Sequence, residues 1–203
     1  MSTPDARPPA PDRRTLIADT AIGLVAAGGL RSLTHRAVDG AARLPAGSTS
    51  YYFRTRTALI GACYGRLVEL DLEDLEGRDG DAQAGPLDRD GVARILGALL
   101  HRWLTEGRAR QLARFELSLE AARNPELEPE LHRAGLRARA RAAGVLTALG
   151  AARPQESAEL LAAWTDGLLY DRLAGSLARS RPAPDPAELT ATVRRMLDAV
   201  LAP

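Results

Sequence analysis

The segment 45–53 gathers short hydroxyl side chains and aromatic rings in a chain that is otherwise rich in aliphatic residues. Its candidate contact residues are Pro45, Gly47, Ser48, Thr49, Ser50, Tyr51 and Tyr52, and Arg54 and Arg56 follow directly. Serine and threonine hydroxyls are short donors and acceptors that suit base edges, whereas tyrosine hydroxyls and arginine guanidinium groups reach phosphates. These residue types favour contact with nucleic acid; the alternative is a polar loop with solvated tyrosines.

Two short helices are predicted to position these side chains. Thr34 is a favourable N-cap for a helix over 35–42, and Pro45 suits the first turn of a second helix that ends near Tyr52. The short gap between them is typical of a helix-turn-helix, whose second helix enters the major groove of DNA. Thr34 and Arg36 therefore join the candidate contacts at the start of the first helix.

The whole chain is expected to be all-α. Its 203 residues include 38 Ala and 32 Leu but only 11 Val and Ile together, and aromatic residues make up 4%. Ala and Leu favour helices, whereas strands favour β-branched and aromatic residues. Apolar residues recur with a 3.6-residue period between prolines and glycines, which predicts about nine helices. These helices are expected near 12–27, 35–42, 45–52, 55–76, 91–103, 108–123, 127–149, 155–179 and 186–201.

The distribution of charge divides the chain into a basic head and a mildly acidic body. Residues 1–56 contain eight arginines and four acidic residues, a net charge of +4, whereas residues 57–203 have a net charge of −3. We expect a disordered Pro-rich arm over 1–11, a helix-turn-helix DNA-binding domain over 12–56, and a larger helical domain over 57–203. The segment 77–90 is predicted to be a mobile connection.

The segment 12–59 resembles the DNA-binding head of TetR-like (tetracycline-repressor-like) transcriptional regulators. The resemblance lies in LVAAGGL at the end of the first predicted helix, THRAV at the second, LPAGSTSYYF in the recognition segment and RTRTAL after it. Arg43 replaces the family's usual Gly in the turn, Pro45 replaces a Ser, and Arg56 replaces a Lys. A positive φ at Arg43 would cost about 1 kcal/mol relative to Gly. The run 114–127 resembles one group of the family's C-terminal domains.

The resemblance implies a homodimeric transcriptional regulator that binds a pseudo-palindromic operator in double-stranded DNA, with residues 57–203 as its helical ligand-binding and dimerisation domain. It also implies repression, with release from DNA when a small-molecule effector binds the body. We expect no cofactor, no metal and no membrane association, and a cytoplasmic location. Two alternatives stay open: an all-α enzyme with an unrecognised pocket, although no familiar catalytic motif occurs, and a helical adaptor that binds protein.

The body carries predictions for the dimer and the effector. In the resembled family the last two long helices pair with their copies, here near 155–179 and 186–201, and the first of these is apolar on two sides. The expected effector pocket is lined by Trp103, Phe115, Glu116, Leu119 and Trp164. Glu116 is predicted on a buried face, where it would orient a ligand or pair with an arginine such as Arg102. Cys63 is expected to face inward, where lone cysteines are usually inert.

Overall fold

The computed structural model describes residues 12–76 and 88–202, so the predicted arm at 1–11 and most of the predicted connection at 77–90 lie outside the described residues. Every regular element in those two ranges is helical, which confirms the all-α prediction and its nine helices. They are α1 (Arg13–Gly28), α2 (His35–Ala41), α3 (Ser48–Tyr52), α4 (Arg56–Glu76), α5 (Arg89–Leu104), α6 (Arg108–Ala121), α7 (Glu128–Ala148), α8 (Pro154–Leu173) and α9 (Pro186–Val200). A short 3₁₀ turn, Leu30–Ser32, follows α1.

Polar side chains fix where several helices begin. Thr34 caps α2 by accepting a hydrogen bond from the backbone N–H of Ala37 at 3.1 Å. Asp88 caps α5 in the same way through the N–H of Gly91 at 2.7 Å, and Asp185 caps α9. Each cap satisfies a backbone donor that the helix itself leaves free, which is worth about 1 kcal/mol.

Two predicted boundaries are wrong. The third helix begins at Ser48 rather than at Pro45, because Gly47 adopts a left-handed conformation with φ of 90° just before it. The helix predicted to reach residue 179 ends at Leu173, where the backbone N–H groups of Ala174 and Gly175 both bond to the carbonyl of Tyr170. Such shared bonds are typical of a helix terminus.

Two hydrophobic clusters form the core, and α6 belongs to both. The first cluster joins α1, α2 and α4 to Ala113, Leu117 and Ala121 of α6. The second joins α5, α7, α8 and α9, and Leu112 and Phe115 of α6 pack against it. Because each fully buried Leu or Val side chain contributes roughly 1.5–3 kcal/mol, α6 is held from both sides by the main stabilising term of the fold.

The α5–α9 contact is the closest helix approach at a glycine in the body. A Cβ atom at Gly97 of α5 would lie 2.7 Å from the Cα atom of Thr190 in α9 and 2.9 Å from its nitrogen. Both neighbours are backbone atoms, so a side chain at position 97 could be accommodated only by moving a helix. Within the described ranges, no helix has both the length and the apolar character that crossing a bilayer requires.

Candidate DNA-binding surface

A buried carboxylate on α2 holds the start of α3. Asp39 is 5% exposed, and its Oδ2 accepts from the backbone N–H of Gly47 at 2.8 Å. Its Oδ1 accepts from both the N–H and the hydroxyl of Thr49, at 2.8 and 2.6 Å. Burial opposes ionisation of Asp39, but the hydrogen bonds from Thr49 and Gly47 and the nearby His35 outweigh it and lower its pKa.

The other end of α3 is held by the same helix. The Nε2–H of His35, one turn before Asp39, donates to the carbonyl of Phe53 at 2.6 Å. This imidazole must carry its proton on Nε2, because a carbonyl oxygen only accepts. The α2 helix therefore clamps both termini of α3, and neither clamp residue was among the predicted site residues. The available sequence signal was an acid directly after the apolar Val38 within the first helix of the pair.

The turn between α2 and α3 contains two residues with positive φ. Gly47 has φ of 90°, which glycine adopts without steric penalty. Arg43 has φ of 54°, so this arginine adopts the left-handed conformation at the position where the resembled family usually has glycine. The strain costs about 1 kcal/mol relative to glycine, and the chain tolerates it where the exposed side chain adds positive charge beside α3.

Most of the predicted contact residues are exposed, and most of these lie on α3 or within a few residues of it in the chain. Tyr51 is 80% exposed and meets the ring of Tyr52 edge-on, with the centroids 5.1 Å apart. Arg36, Pro45, Gly47, Ser50 and Arg54 are exposed, and Ser48 is partly buried with its hydroxyl donating to the carbonyl of Pro45. Arg36 and Arg54 make no ion pair within the described residues, so their charges face solvent. These groups can serve the phosphate and base contacts that the residue types predict.

The prediction that Thr49 faces DNA bases is wrong. Its side chain is fully buried because both its N–H and its hydroxyl bind the Asp39 carboxylate. Its role is to fix α3 against α2. Thr34 also uses its side-chain oxygen within the protein, as the N-cap of α2, although it remains exposed.

Arg56 connects the head to the body. Its Nη2 donates to the carbonyl of Leu30 at 2.8 Å, and its Nη1 lies 3.4 Å from a carboxylate oxygen of Glu120 on α6. The side chain is 45% exposed, so the predicted phosphate contact remains a prediction that would compete with these internal bonds. Glu116, one turn earlier on α6, lies beside the α1 terminus, 3.8 Å from where a Cβ atom of Gly29 would sit.

The predicted effector residues do not gather around one cavity in the described part of the chain. Glu116 is exposed rather than buried, which overturns both the ligand-anchor premise and the alternative of a buried pair with Arg102. Leu119 and Trp164 are 56% and 39% exposed. Phe115 meets Tyr170 edge-on at 5.6 Å, and the Trp103 indole N–H donates to Asp74 at 3.0 Å. The error arises because α6 faces two cores, so its apolar periodicity has two overlapping stripes.

The body interior instead contains a polar seam between α4 and α6. Asp74 is 5% exposed and binds Trp103 and the guanidinium of Arg110, with Arg102 at 3.4 Å. Asp71, one turn earlier, has its pKa raised to about 6 by burial, although Arg110 and Arg114 act against the shift. On the neighbouring face of α4, a cleft of about 150 Å³ opens towards α7 beside Tyr64 and Val68.

The described residues include a buried thiol and no cluster of metal ligands. Cys63 is fully buried, and burial raises the pKa of its thiol to about 12, so the nucleophilic thiolate is scarce at neutral pH. In residues 12–76 and 88–202, no group of three or more His, Cys, Asp or Glu side chains is arranged to hold a metal ion.

Comparison with known proteins matches this architecture. The sequence model of the family described as "Tetracyclin repressor-like, C-terminal domain" matches residues 87–202, more than half of the chain. No curated protein matches this chain.

Solved structures show the same fold over nearly the full length. A transcriptional regulator from Rhodococcus sp. Rha1 has 23% identity and a TM-score of 0.73, covering 94% of this chain and 96% of its own. A TetR-family member from Streptomyces coelicolor A3 has 26% identity and a TM-score of 0.69, with coverage of 92% and 98%. The multidrug binding protein EbrR, solved with imidazole, has 26% identity and a TM-score of 0.66, with coverage of 96% and 98%. The chain therefore belongs to the TetR family of transcriptional regulators.

Proposed function

We propose that this chain is a homodimeric repressor that binds a pseudo-palindromic operator through α3 and releases it when a small-molecule effector binds the body. The observation that carries DNA binding is the exposed surface around Ser50 and Tyr51, held rigidly by the Asp39 and His35 clamp. A rigid scaffold is what base readout requires, because each contact depends on a fixed position in the groove. The net charge of +4 over residues 1–56 favours the same polyanion.

Operator binding is tested with the DNA upstream of the chain's own gene in gel-shift titrations at several salt concentrations. We expect saturable binding that weakens steeply with salt, because arginines release counterions from phosphates. Arg54→Ala should weaken binding by roughly tenfold and reduce the slope of log K against log salt by about 1. Tyr51→Ala should weaken binding by a similar factor.

Arg141→Ala is the matched control, since this exposed α7 arginine carries the same charge far along the chain from the head. It should leave both affinity and salt slope unchanged. Equal affinity for every DNA fragment, or equal losses for Arg54→Ala and Arg141→Ala, would contradict the assignment of the surface around α3.

The dimer proposal rests on α8. One side of this helix, which includes Leu161 and Leu169, is buried in the second cluster. The opposite side is exposed and consists of apolar or small residues, namely Leu160, Ala163, Trp164, Gly167, Tyr170 and Ala174. An exposed apolar stripe of this length is typical of an interface, and a two-fold dimer supplies the two heads that two operator half-sites need. We propose that α8 pairs with its copy, joined by α9.

Light scattering on the purified chain at micromolar concentration tests this pairing. We expect twice the mass of 21.7 kDa for the wild type and a monomer for Trp164→Glu, because the substitution would bury a carboxylate at the centre of the interface. Gln155→Glu, at the exposed start of the same helix, should remain dimeric. A wild-type monomer, or a dimeric Trp164→Glu, would count against α8 as the interface.

Release by an effector requires a coupling between the body and the head. We propose that α4 and α6 carry it, because Arg56 at the start of α4 binds both the Leu30 carbonyl and Glu120 of α6. The effector must bind better to the arrangement that does not fit DNA, since equal affinity for both arrangements shifts nothing. The similar protein EbrR binds small molecules, which supports such a role for the body here. We also propose that the chain acts on DNA and is not an enzyme, and that it is located in the cytoplasm of a bacterium.

A further inference from the structure

Arg43 occupies the position just past the end of α2 that helices usually fill with glycine. Its backbone N–H donates to the carbonyl of Gly40 at 3.2 Å, and the N–H of Leu44 donates to the carbonyl of Asp39 at 2.8 Å. This pair of bonds, beyond the last helical residue Ala41, forms a Schellman motif. The motif requires a left-handed residue at position 43, where a Cβ atom crowds the backbone and glycine does not.

The side chain of Arg43 makes no contact that would offset this strain. It is exposed, and among the residues that the structure describes it has no hydrogen bond, ion pair or ring contact. The C-terminus of α2 favours a nearby cation, but this effect is small at an exposed site and is screened by salt. Strained residues persist where a function requires them, so we expect the benefit of an arginine here to lie outside the chain.

The turn holds Arg43 at a fixed position relative to α3. The backbone carbonyl of Asp39 accepts from Leu44, the residue directly after Arg43. The carboxylate of Asp39 accepts from the N–H groups of Gly47 and Thr49 at the start of α3. One residue therefore fixes both the end of the turn and the beginning of α3, and Arg43 belongs to the same rigid scaffold as the exposed side chains of α3.

A guanidinium on this scaffold is suited to bind phosphate. It only donates hydrogen bonds, it stays charged at neutral pH, and its planar fork matches two phosphate oxygens. In a helix-turn-helix complex the first helix crosses the DNA backbone and the second lies in the major groove, so phosphates lie close to both helices. We propose that Arg43 binds a backbone phosphate of the operator beside α3, and that the chain keeps a strained turn in order to hold this charge there.

Arg43→Gly is expected to change stability and DNA affinity in opposite directions. Glycine relieves the strain of the positive φ, so the urea midpoint of unfolding should rise. Loss of the guanidinium should weaken operator binding at least tenfold and reduce the slope of log K against log salt by about 1 for each head bound. A phosphate contact carries no sequence information, so binding to a shuffled duplex should weaken by the same factor. Fluorescence anisotropy with the two duplexes measures both losses.

Three control variants separate charge from backbone freedom. Arg43→Asn removes the charge but tolerates positive φ, so it should bind operator as weakly as Arg43→Gly. Arg43→Lys keeps a cation and the strain, so it should bind within about threefold of wild type and unfold at the wild-type midpoint. Arg141→Ala removes an exposed arginine of α7 and should bind both duplexes as the wild type does.

Several results would overturn the assignment of Arg43. One is wild-type affinity in both Arg43→Gly and Arg43→Asn. Another is a loss on the operator that is absent on the shuffled duplex, because that pattern indicates a base contact. A third is a fall in both stability and affinity in Arg43→Gly, which would show that the arginine serves the fold at the end of α2.

The assignment rests on the proposed operator binding, and the two can fail separately. A wild type that binds the operator while the Arg43 variants bind equally well would leave the regulator supported and overturn the phosphate contact. A wild type that binds both duplexes equally would contradict the regulator, and the loss in Arg43→Gly on either duplex would still support the phosphate contact. Absence of any DNA binding would contradict both.

Discussion

Asp39→Ala is expected to abolish specific DNA binding and to destabilise the head by about 3 kcal/mol. The substitution removes all three hydrogen bonds that hold the start of α3 and leaves the N–H groups of Gly47 and Thr49 and the buried Thr49 hydroxyl without partners. Hydrogen bonds to a charged group each contribute roughly 1.5–3 kcal/mol, part of which water recovers once α3 loosens. Operator affinity measured by fluorescence anisotropy and the free energy of unfolding in urea report the two effects.

The control and the pH dependence separate positioning from a general loss of charge. Asp19→Ala removes an equally charged residue of the head whose ion pair with Arg66 is exposed, so it should change stability by less than about 1 kcal/mol.

Because the pKa of Asp39 is lowered by folding, the contribution of its carboxylate to the free energy of unfolding is complete above the ordinary pKa of 3.8 and is lost as the pH falls below that value. Wild type should therefore lose an increment of stability below that pH that Asp39→Asn does not lose. Unfolding of Asp39→Ala at the wild-type midpoint would contradict the clamp.

Gly97→Ala is expected to destabilise the body by about 3 kcal/mol. The added methyl group would lie 2.7 Å from the Cα of Thr190, so α5 and α9 must separate along their contact. Overpacking of this kind costs typically 1–3 kcal/mol and more where backbone must move, which exceeds the gain of up to ~1 kcal/mol from replacing glycine in a helix. Urea unfolding of the two proteins measures the difference.

Gly144→Ala provides the opposite sign within the same fold. Gly144 is exposed on α7, and a Cβ atom there would meet nothing within 4 Å. Only the helix propensity then changes, and the substitution should stabilise the protein by about 0.5–1 kcal/mol. If Gly97→Ala and Gly144→Ala shifted the urea midpoint in the same direction, the close approach of α5 and α9 would not be what limits residue 97.

The features that local physics determines were predictable from the sequence. Helix positions follow from the period of the apolar residues and from caps such as Thr34, and the strained turn follows from the comparison of Arg43 with the glycine usual there. The end of α8 was not predictable in this way, because Ala174 is itself a good helix former. The functional prediction rested on the family resemblance of the head. The match of residues 87–202 to the family's C-terminal domain extends that resemblance to the body.

Tertiary pairings account for the site residues that were wrong or missing. In the sequence, nothing distinguishes Thr49 from the other hydroxyl residues of the segment. In the fold, Asp39, ten positions earlier, contacts it across the turn. Glu116 lies between two apolar stripes of α6, and periodicity alone cannot say which stripe meets which core. The polar seam of Asp74, Trp103 and Arg110 carries no sequence signature either, because only the packing of the helices brings these residues together.

The position of α6 in both hydrophobic clusters has a thermodynamic consequence. Ala113 and Leu117 of α6 are part of the hydrophobic core of the head, and Gln111 of the same helix lies in the polar seam. A molecule that shifts α6 therefore alters the free energy of the head. Linkage requires this effect to be reciprocal: the factor by which an effector lowers operator affinity is the factor by which the operator lowers effector affinity. If the chain is the repressor proposed above, operator-bound copies therefore respond only at higher effector concentrations than free copies.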